Sequence, residues 1–354
     1  MSVAPRGRRV LWVVGPALGH AARALVVARA LRDAHGVGSR FIGADRHGFH
    51  ARLLAPEFDT IDTGHTPAQF EAFADAVAAQ LVEHRYDALC LDCASVPWRL
   101  AIGEPGLPSV YLTNAFLAHA TQATHQDLQW REHGASWNAR RQARGLPPLA
   151  NAAALFEADR VLLADPDWIL DVDAALPVHH RLTGACAWAP DGPLPDALAG
   201  LRDVALIATG STGTPLPAGF PQALARACGA RHVVQVDSQG VRLDGRTLDV
   251  GVVPLPALLA HCRVALTHGG AGSTWLALAQ GVPVLVWPGH HNHRLLGERI
   301  QAAGLGLLLD PQGGAAQLQA FERRAQAMGE CARAHAFDLQ SGPLRAAGEI
   351  VAML

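Results

Sequence analysis

The chain has 354 residues, half of them apolar, and a formal net charge of −2. That length exceeds one comfortable core, so two domains of roughly 150 residues or more are expected, and the near-neutral charge carries no nucleic-acid footprint. The 29 lysine-or-arginine positions are all arginine, which excludes Schiff-base chemistry, a covalently held pyridoxal cofactor and the lysine-dependent P-loop.

In chain order, Val10-Leu-Trp-Val-Val14 is a continuous apolar run of strand length, as a buried parallel strand should be. It runs into Gly15-Pro-Ala-Leu-Gly-His20, then a helical pattern from Ala21 to Ala34 stopped at Gly36, then a short strand Arg40–Gly43. Strand, glycine turn, helix and strand in that order open a doubly wound α/β domain, in which ligands sit at the carboxyl ends of strands, where His20 falls. The turn is not G-x-G-x-x-G, so no dinucleotide fingerprint is present. A helix over Pro67–His84 precedes a strand, Tyr86–Asp92, that finishes on a carboxylate, and Leu107–Leu112 is the next strand. Asn114 to His133 shows no clean period, and Trp137–Pro148 reads as a basic helix stopped by Gly145 and two prolines. Arg160–Ala164 is a late strand, and the proline-rich stretch Cys186–Pro195 is the linker candidate.

The same architecture then repeats. Val204–Ala208 is a strand running into Thr209-Gly-Ser-Thr-Gly213, followed by a helix over Phe220–Cys228 and strands at Val233–Val236, Val250–Val253 and Val264–Leu266. Thr267-His-Gly-Gly-Ala-Gly-Ser-Thr274 lies between that last strand and a helical segment from Trp275 to Gln280. A glycine-rich turn at a helix start leaves backbone N–H groups unpaired and suits an anion such as a phosphate. Val282–Trp287 is a further strand, followed by Pro288-Gly-His-His-Asn-His293, and the helical end Gln317–Leu354 is long enough to cross back over the first domain. The division expected is 1–185, 186–330 and a returning helix in 331–354.

Six spread-out cysteines read as buried thiols; Cys90-Leu-Asp-Cys93 has C-x-x-C spacing but no second pair, so no metal site is expected there. The histidine-rich run at residues 290–293 has no cysteine or carboxylate beside it in sequence, and no metal is assigned to it. No apolar run reaches membrane-spanning length and no signal peptide is visible, which makes the cytoplasm the expected compartment.

Taken in order, these residues resemble a family 1 glycosyltransferase of the two-domain B fold (GT-B), close to the bacterial natural-product and macrolide type. His268-Gly-Gly-Ala-Gly-Ser-Thr274 followed by Ala277-Leu-Ala-Gln-Gly-Val-Pro283 is similar to that family's donor-binding signature, and Pro254–Leu259 to the loop that leads into it. Gly19-His20 and Asp92 match its base and carboxylate partner, and Asn138–Pro148 resembles a motif of the bacterial members. The resemblance implies two Rossmann-like domains facing across a cleft. It also implies a nucleoside-diphosphate sugar, UDP- or dTDP-linked, as co-substrate, with no other cofactor and no metal, and a small-molecule acceptor as the partner. Its donor-binding residues fall on Ser211, Thr212, Val253, His268, Gly270, Gly272, Ser273, Thr274, Asn292 and His293. Three places depart from the pattern: Asn292-His293 stands where the family has Asp-Gln, Leu296-Gly297 where it has Asn-Ala, and Val252 where plant members stack a tryptophan on the base.

The chemistry implied is an inverting transfer. His20 would be the general base, held in one tautomer by Asp92, while the amides of Gly270–Ser273, the hydroxyls of Ser273 and Thr274, and His268 receive the charge growing on the diphosphate. Two alternatives use the same residues. One is a nucleotide-sugar hydrolase in which His20 activates water, suggested by the Gly19-His-x-x-Arg23 run. The other is a non-catalytic nucleotide-sugar-binding or accessory protein, suggested by the altered Asn292-His293 pair.

Overall fold

A computed structural model describes residues 7–45, 47–65, 69–92, 106–156, 158–170, 176–210, 215–237, 240–250, 253–310 and 313–354, with backbone alone at 70, 119–126, 129, 314 and 315. Of the positions discussed above, Pro67, Cys93, Ser211, Thr212, Gly213, Gly251 and Val252 lie outside the described residues. The chain divides into two compact units: residues 1–167, 171–186 and 340–354 form the first, and 168–170 with 187–339 the second.

The first unit is built on a seven-stranded parallel sheet ordered β3-β2-β1-β4-β5-β6-β7. Its strands are β1 (Arg9–Val14), β2 (Gly38–Gly43), β3 (Asp59–Asp62), β4 (Ala88–Asp92), β5 (Ser109–Thr113), β6 (Arg160–Leu163) and β7 (His180–Leu182). The apolar runs are where burial places them: Val10 to Val13 and Leu162 are fully buried, as a sheet covered on both faces demands. Helix α1 (Leu18–His35) starts three residues earlier than its apolar pattern and ends on Gly36, whose φ of 65° is the left-handed cap glycine accepts without strain. It is followed by α2 (Phe49–Leu53) and α3 (Phe70–Glu83). Asn114–His133 and Trp137–Pro148, which read as two different things, are largely one 25-residue helix, α4 (His119–Ala143). Its inner face meets Ala74 and Leu155 through Trp130 and Trp137, seven residues and two turns apart.

The second unit has its own seven-stranded sheet, ordered β11-β10-β9-β8-β12-β13-β14. The strands are β8 (Val204–Gly210), β9 (His232–Asp237), β10 (Gly240–Leu243), β11 (Arg246–Leu248), β12 (Cys262–Thr267), β13 (Val284–Val286) and β14 (Gly306–Leu308). Pairing is parallel except where β9, β10 and β11 run antiparallel. Of the strand expected at Val250–Val253, residues 251 and 252 lie outside the described residues and neither Val250 nor Val253 is in a strand; the described edge is a β10–β11 hairpin turning at Asp244-Gly245. Both turn residues have positive φ, 48° and 85°, which matches the right-handed twist of the flanking strands. Helices α5 (Phe220–Cys228), α6 (Ala271–Ala279), α7 (His291–Ala302) and α8 (Gly314–Ala334) cover this sheet.

The helical end is two helices. After α8 the chain breaks at residues 335–340 and α9 (Ser341–Val351) returns to the first unit, where it packs on α1. The buried side of α9 is small, Gly342, Pro343, Ala346 and Ala347 with Ile350, so it approaches closely. A Cβ at Gly342 would stand 2.2 Å from the Ala185 carbonyl oxygen and 2.9 Å from the Gly184 carbonyl carbon, and both neighbours are backbone that cannot swing aside. Gly342→Ala is therefore expected to cost about 2–4 kcal/mol, the upper range of overpacking, read as a lower urea midpoint.

In each sheet the strand order reverses at one place, between β1 and β4 in the first and between β8 and β12 in the second. Ligands of doubly wound sheets bind outside the carboxyl ends of the strands flanking such a point. Both stretches that stood out in the sequence lie there: His20 and Asp92 beyond β1 and on the end of β4, and His268 beyond β12.

Candidate active site

In the first unit, His20 sits in the opening turn of α1, and its Nδ1 lies 2.8 Å from Oδ1 of Asp92, the last residue of β4. The register makes this meeting possible: Val14 pairs with Asp92, and the Gly15 amide donates to the Asp92 carbonyl at 2.9 Å, so the loop into α1 passes over that strand end. Asp92 is fully buried while the His20 side chain is 21% exposed, so one ring edge is anchored inside and the other is open. A carboxylate only accepts, which puts the proton on Nδ1 and leaves Nε2 with a lone pair.

The Asp92 carboxylate has a second partner that the sequence reading did not place there. Arg23, one turn along α1, donates from Nε to Oδ2 at 2.8 Å and from a terminal nitrogen to Oδ1. Its other terminal nitrogen reaches Asn114, whose amide donates to Asp165 at 2.7 Å. Asp92, Asn114 and Asp165 each follow or finish an apolar strand, β4, β5 and β6 in turn, and that recurring polar residue at strand ends was the available signal.

In the second unit, the loop between β12 and α6 carries the glycines. Gly269 has φ +88°, and its amide donates to the Thr267 hydroxyl at 3.2 Å. Helix α6 begins after Gly270 with no side-chain cap, so amides of its first turn, including Gly272 and Ser273, face out of the helix start. Ser273 Oγ is a buried atom without a hydrogen-bond partner, while the Nδ1 edge of His268 lies toward β8, where the Ala208 backbone bears on the ring. An anion at the helix start would supply the acceptor that Ser273 lacks. Thr274 differs from its expected role: it is fully buried and its hydroxyl meets that of Thr267 at 3.0 Å, so it braces the loop from inside.

His268 is fixed on several sides. A Cβ at Gly210, the end of β8, would come within 2.8 Å of its ring, and one at Gly270 within 2.4 Å, so both positions must be glycine for the ring to lie where it does. His293 stands edge-on to it, ring centroids 4.6 Å apart at 78°, and His290 lies 3.4 Å from His293. His293 is 5% exposed and its Nδ1 accepts the Gly289 amide at 3.3 Å. Its ring thus backs His268, while Asn292 beside it is only partly buried. Val253 is buried too, at 3% exposure, just before Pro254. No group of three or more potential metal-ligating side chains is positioned for a metal among the described residues.

Burial pushes the His268 and His290 imidazoles below their usual value, and burial with the neighbouring His268 and His290 takes His293 down to about 3. Histidines of the unfolded chain titrate near 6.5. Below that pH the unfolded chain binds protons that the native one refuses, so stability is lost as pH falls from about 6.5. The urea midpoint of the ligand-free protein is expected to drop between pH 7 and pH 5, with His293→Gln flattening that dependence. The carboxylates held low by partners, such as Asp33, Asp45, Glu57 and Asp244, act only below about pH 4.5.

The family model described as erythromycin biosynthesis protein CIII-like, C-terminal domain, matches residues 230–340. An L-demethylnoviosyl transferase of Streptomyces niveus is 28% identical over 281 residues, 71% of this chain and 71% of that protein. Among solved structures, the calicheamicin glycosyltransferase CalG4 superposes with a TM-score of 0.74 at 21% identity, covering 99% of this chain and 98% of the other. The glycosyltransferase VinC, solved in complex with dTDP, gives 0.67 at 19% identity, covering 98% and 99%. At those identities the two structures speak for the fold.

Proposed function

We propose, from the premise that this chain is a natural-product-type glycosyltransferase of the GT-B fold, that it transfers a sugar from a UDP- or dTDP-linked donor to a small-molecule hydroxyl with inversion. The observation that carries the reading is the pair of polar sites at the two sheet reversals, a histidine–carboxylate pair at one and an uncapped glycine-rich helix start at the other.

In the proposed step His20 Nε2 takes the acceptor's proton as the acceptor oxygen bonds to the anomeric carbon. The bond from that carbon to the diphosphate breaks, and the diphosphate leaves with the electron pair. A single displacement of this kind inverts the anomeric centre. Asp92 keeps the His20 tautomer and receives the imidazolium that forms. The amides of Gly270, Gly272 and Ser273, the Ser273 hydroxyl and His268 are the proposed contacts of the leaving diphosphate. Asn292, the more open of the altered pair, is proposed for the sugar, with His293 behind His268. Ser211, Thr212 and Val253 remain proposed donor contacts from the resemblance alone.

VinC was solved with dTDP, and the Streptomyces relative is named for moving an L-demethylnoviosyl group, so thymidine-linked sugars head the donor panel. No helix among the described residues is long and apolar enough to cross a membrane, and the cytoplasm is the proposed compartment. The test is a thermal-shift panel of nucleoside diphosphates, then turnover with the sugar nucleotides that bind and NMR of the product anomer. A rise in Tm with UDP or dTDP and an inverted product support the reading. A panel in which no nucleoside diphosphate raises Tm overturns it, and sugar release without acceptor at the rate of transfer moves it to the hydrolase.

A further inference from the structure

Arg23 is only 6% exposed, and it lies one helical turn beyond His20, so both side chains leave α1 on the same side. Both meet one carboxylate: Asp92 Oδ1 faces His20 Nδ1 and a terminal nitrogen of Arg23, while Oδ2 accepts from Arg23 Nε at 2.8 Å. The remaining arm is tied through Asn114 to Asp165, itself fully buried and accepting the Ala115 amide on Oδ2 at 2.5 Å. We propose that Arg23 is a positioning residue for the His20–Asp92 pair. Its fork holds the Asp92 carboxylate in the plane that meets His20, and its positive charge lies against the same carboxylate that His20 faces. This inference rests on His20 being the base.

The charges argue for it. Among the described contacts, the Arg23 guanidinium meets the buried Asp92 carboxylate directly and the buried Asp165 carboxylate through Asn114. A buried ion cluster is weak as a source of stability, because desolvation of the ions opposes their attraction. Among the described residues, burial pushes the nearby Cys186 thiol up to about 12, so it stays neutral, and Tyr111 of β5 also bears on Arg23. On α9, Arg345 donates to the Thr183 carbonyl and Glu349 pairs with Arg160. On α2, the His50 ring faces the Gly15 carbonyl at 3.0 Å.

The test is kcat/KM against pH for wild type, Arg23→Lys, Arg23→Met and Asp165→Asn, each corrected for folded fraction. Arg23→Lys keeps the charge but loses the fork, so kcat should fall about 10-fold or more with the donor KM within about twofold. Arg23→Met removes a positive charge and should move the acid limb to higher pH; Asp165→Asn removes a negative one and should move it lower, each by about half a pH unit or more. Opposite movements of the limb are a signature that mere loosening of the fold does not produce. If Arg23→Met does not fold, Arg23→Lys and the isosteric Asp165→Asn decide. Profiles that superimpose on wild type in shape and height overturn the proposal. His20→Ala separates the failures: inactive His20→Ala with unmoved Arg23 and Asp165 profiles sinks this inference alone, and fully active His20→Ala sinks the base assignment beneath it.

Discussion

His20→Ala is expected to lower kcat by about 10²–10⁴-fold, the usual worth of a positioned general base, while nucleoside-diphosphate affinity stays within about twofold. The separation follows from the fold. His20 belongs to the first unit and the glycine-rich loop to the second, with its own sheet and its own core. Removing an imidazole that is 21% exposed leaves no sizeable cavity, so Tm should hold, and the loss should appear in kcat at saturating donor. His20→Gln preserves hydrogen bonding but has no lone-pair nitrogen of comparable basicity, and should be as slow as the alanine variant. Transfer at wild-type rate in either variant would remove His20 from the mechanism.

Gly269→Ala is expected to be the most damaging single methyl in the glycine-rich loop after β12. At φ +88° any side chain is strained, and the new Cβ would stand 2.8 Å from the His293 carbonyl oxygen, 2.9 Å from the His293 Cβ and 2.9 Å from a Val286 methyl. Two of these atoms belong to α7 close to its backbone and the third to buried β13, so no flexible side-chain end can retreat. Strain and overlap together should cost about 2–4 kcal/mol. The loop can relieve the contact only by moving away from α7, which breaks the Gly269 amide bond to Thr267 and shifts His268. Donor binding should weaken by at least about 10-fold, seen by titration calorimetry with dTDP or UDP. Gly272→Ala, three residues on, meets nothing within 4 Å and has an ordinary φ, so its stability should stay within about 0.5 kcal/mol of wild type. Equal losses in both would show that the effect is not local packing.

The central strands were legible because buried parallel strands are nearly unbroken apolar runs; β1, β4, β8 and β12 declared themselves this way. Helix α4 did not, since a long mostly polar helix shows its inner face only through residues such as Trp130 and Trp137. The β10–β11 hairpin hid for another reason. Its strands have four and three residues, too few to show a period, although the Asp244-Gly245 turn signal was present. At the site, His20, Asp92 and the glycine loop could be picked out by residue type and position. The burial of Thr274 and the edge-on packing of His293 against His268 could not, because both depend on which face of a helix start turns inward. Asp165 and Asn114 needed the strand order, which alone puts three distant strand ends side by side.

The return of α9 to the first unit has a consequence for how the protein is made. Synthesis delivers residues 187–339 before the segment that α1 packs against exists. On the ribosome the second unit has its whole sheet in hand while the first still exposes the apolar surface that Ala346, Ala347 and Ile350 will cover. The first-emerging half is therefore the last to finish folding, the reverse of the usual vectorial order.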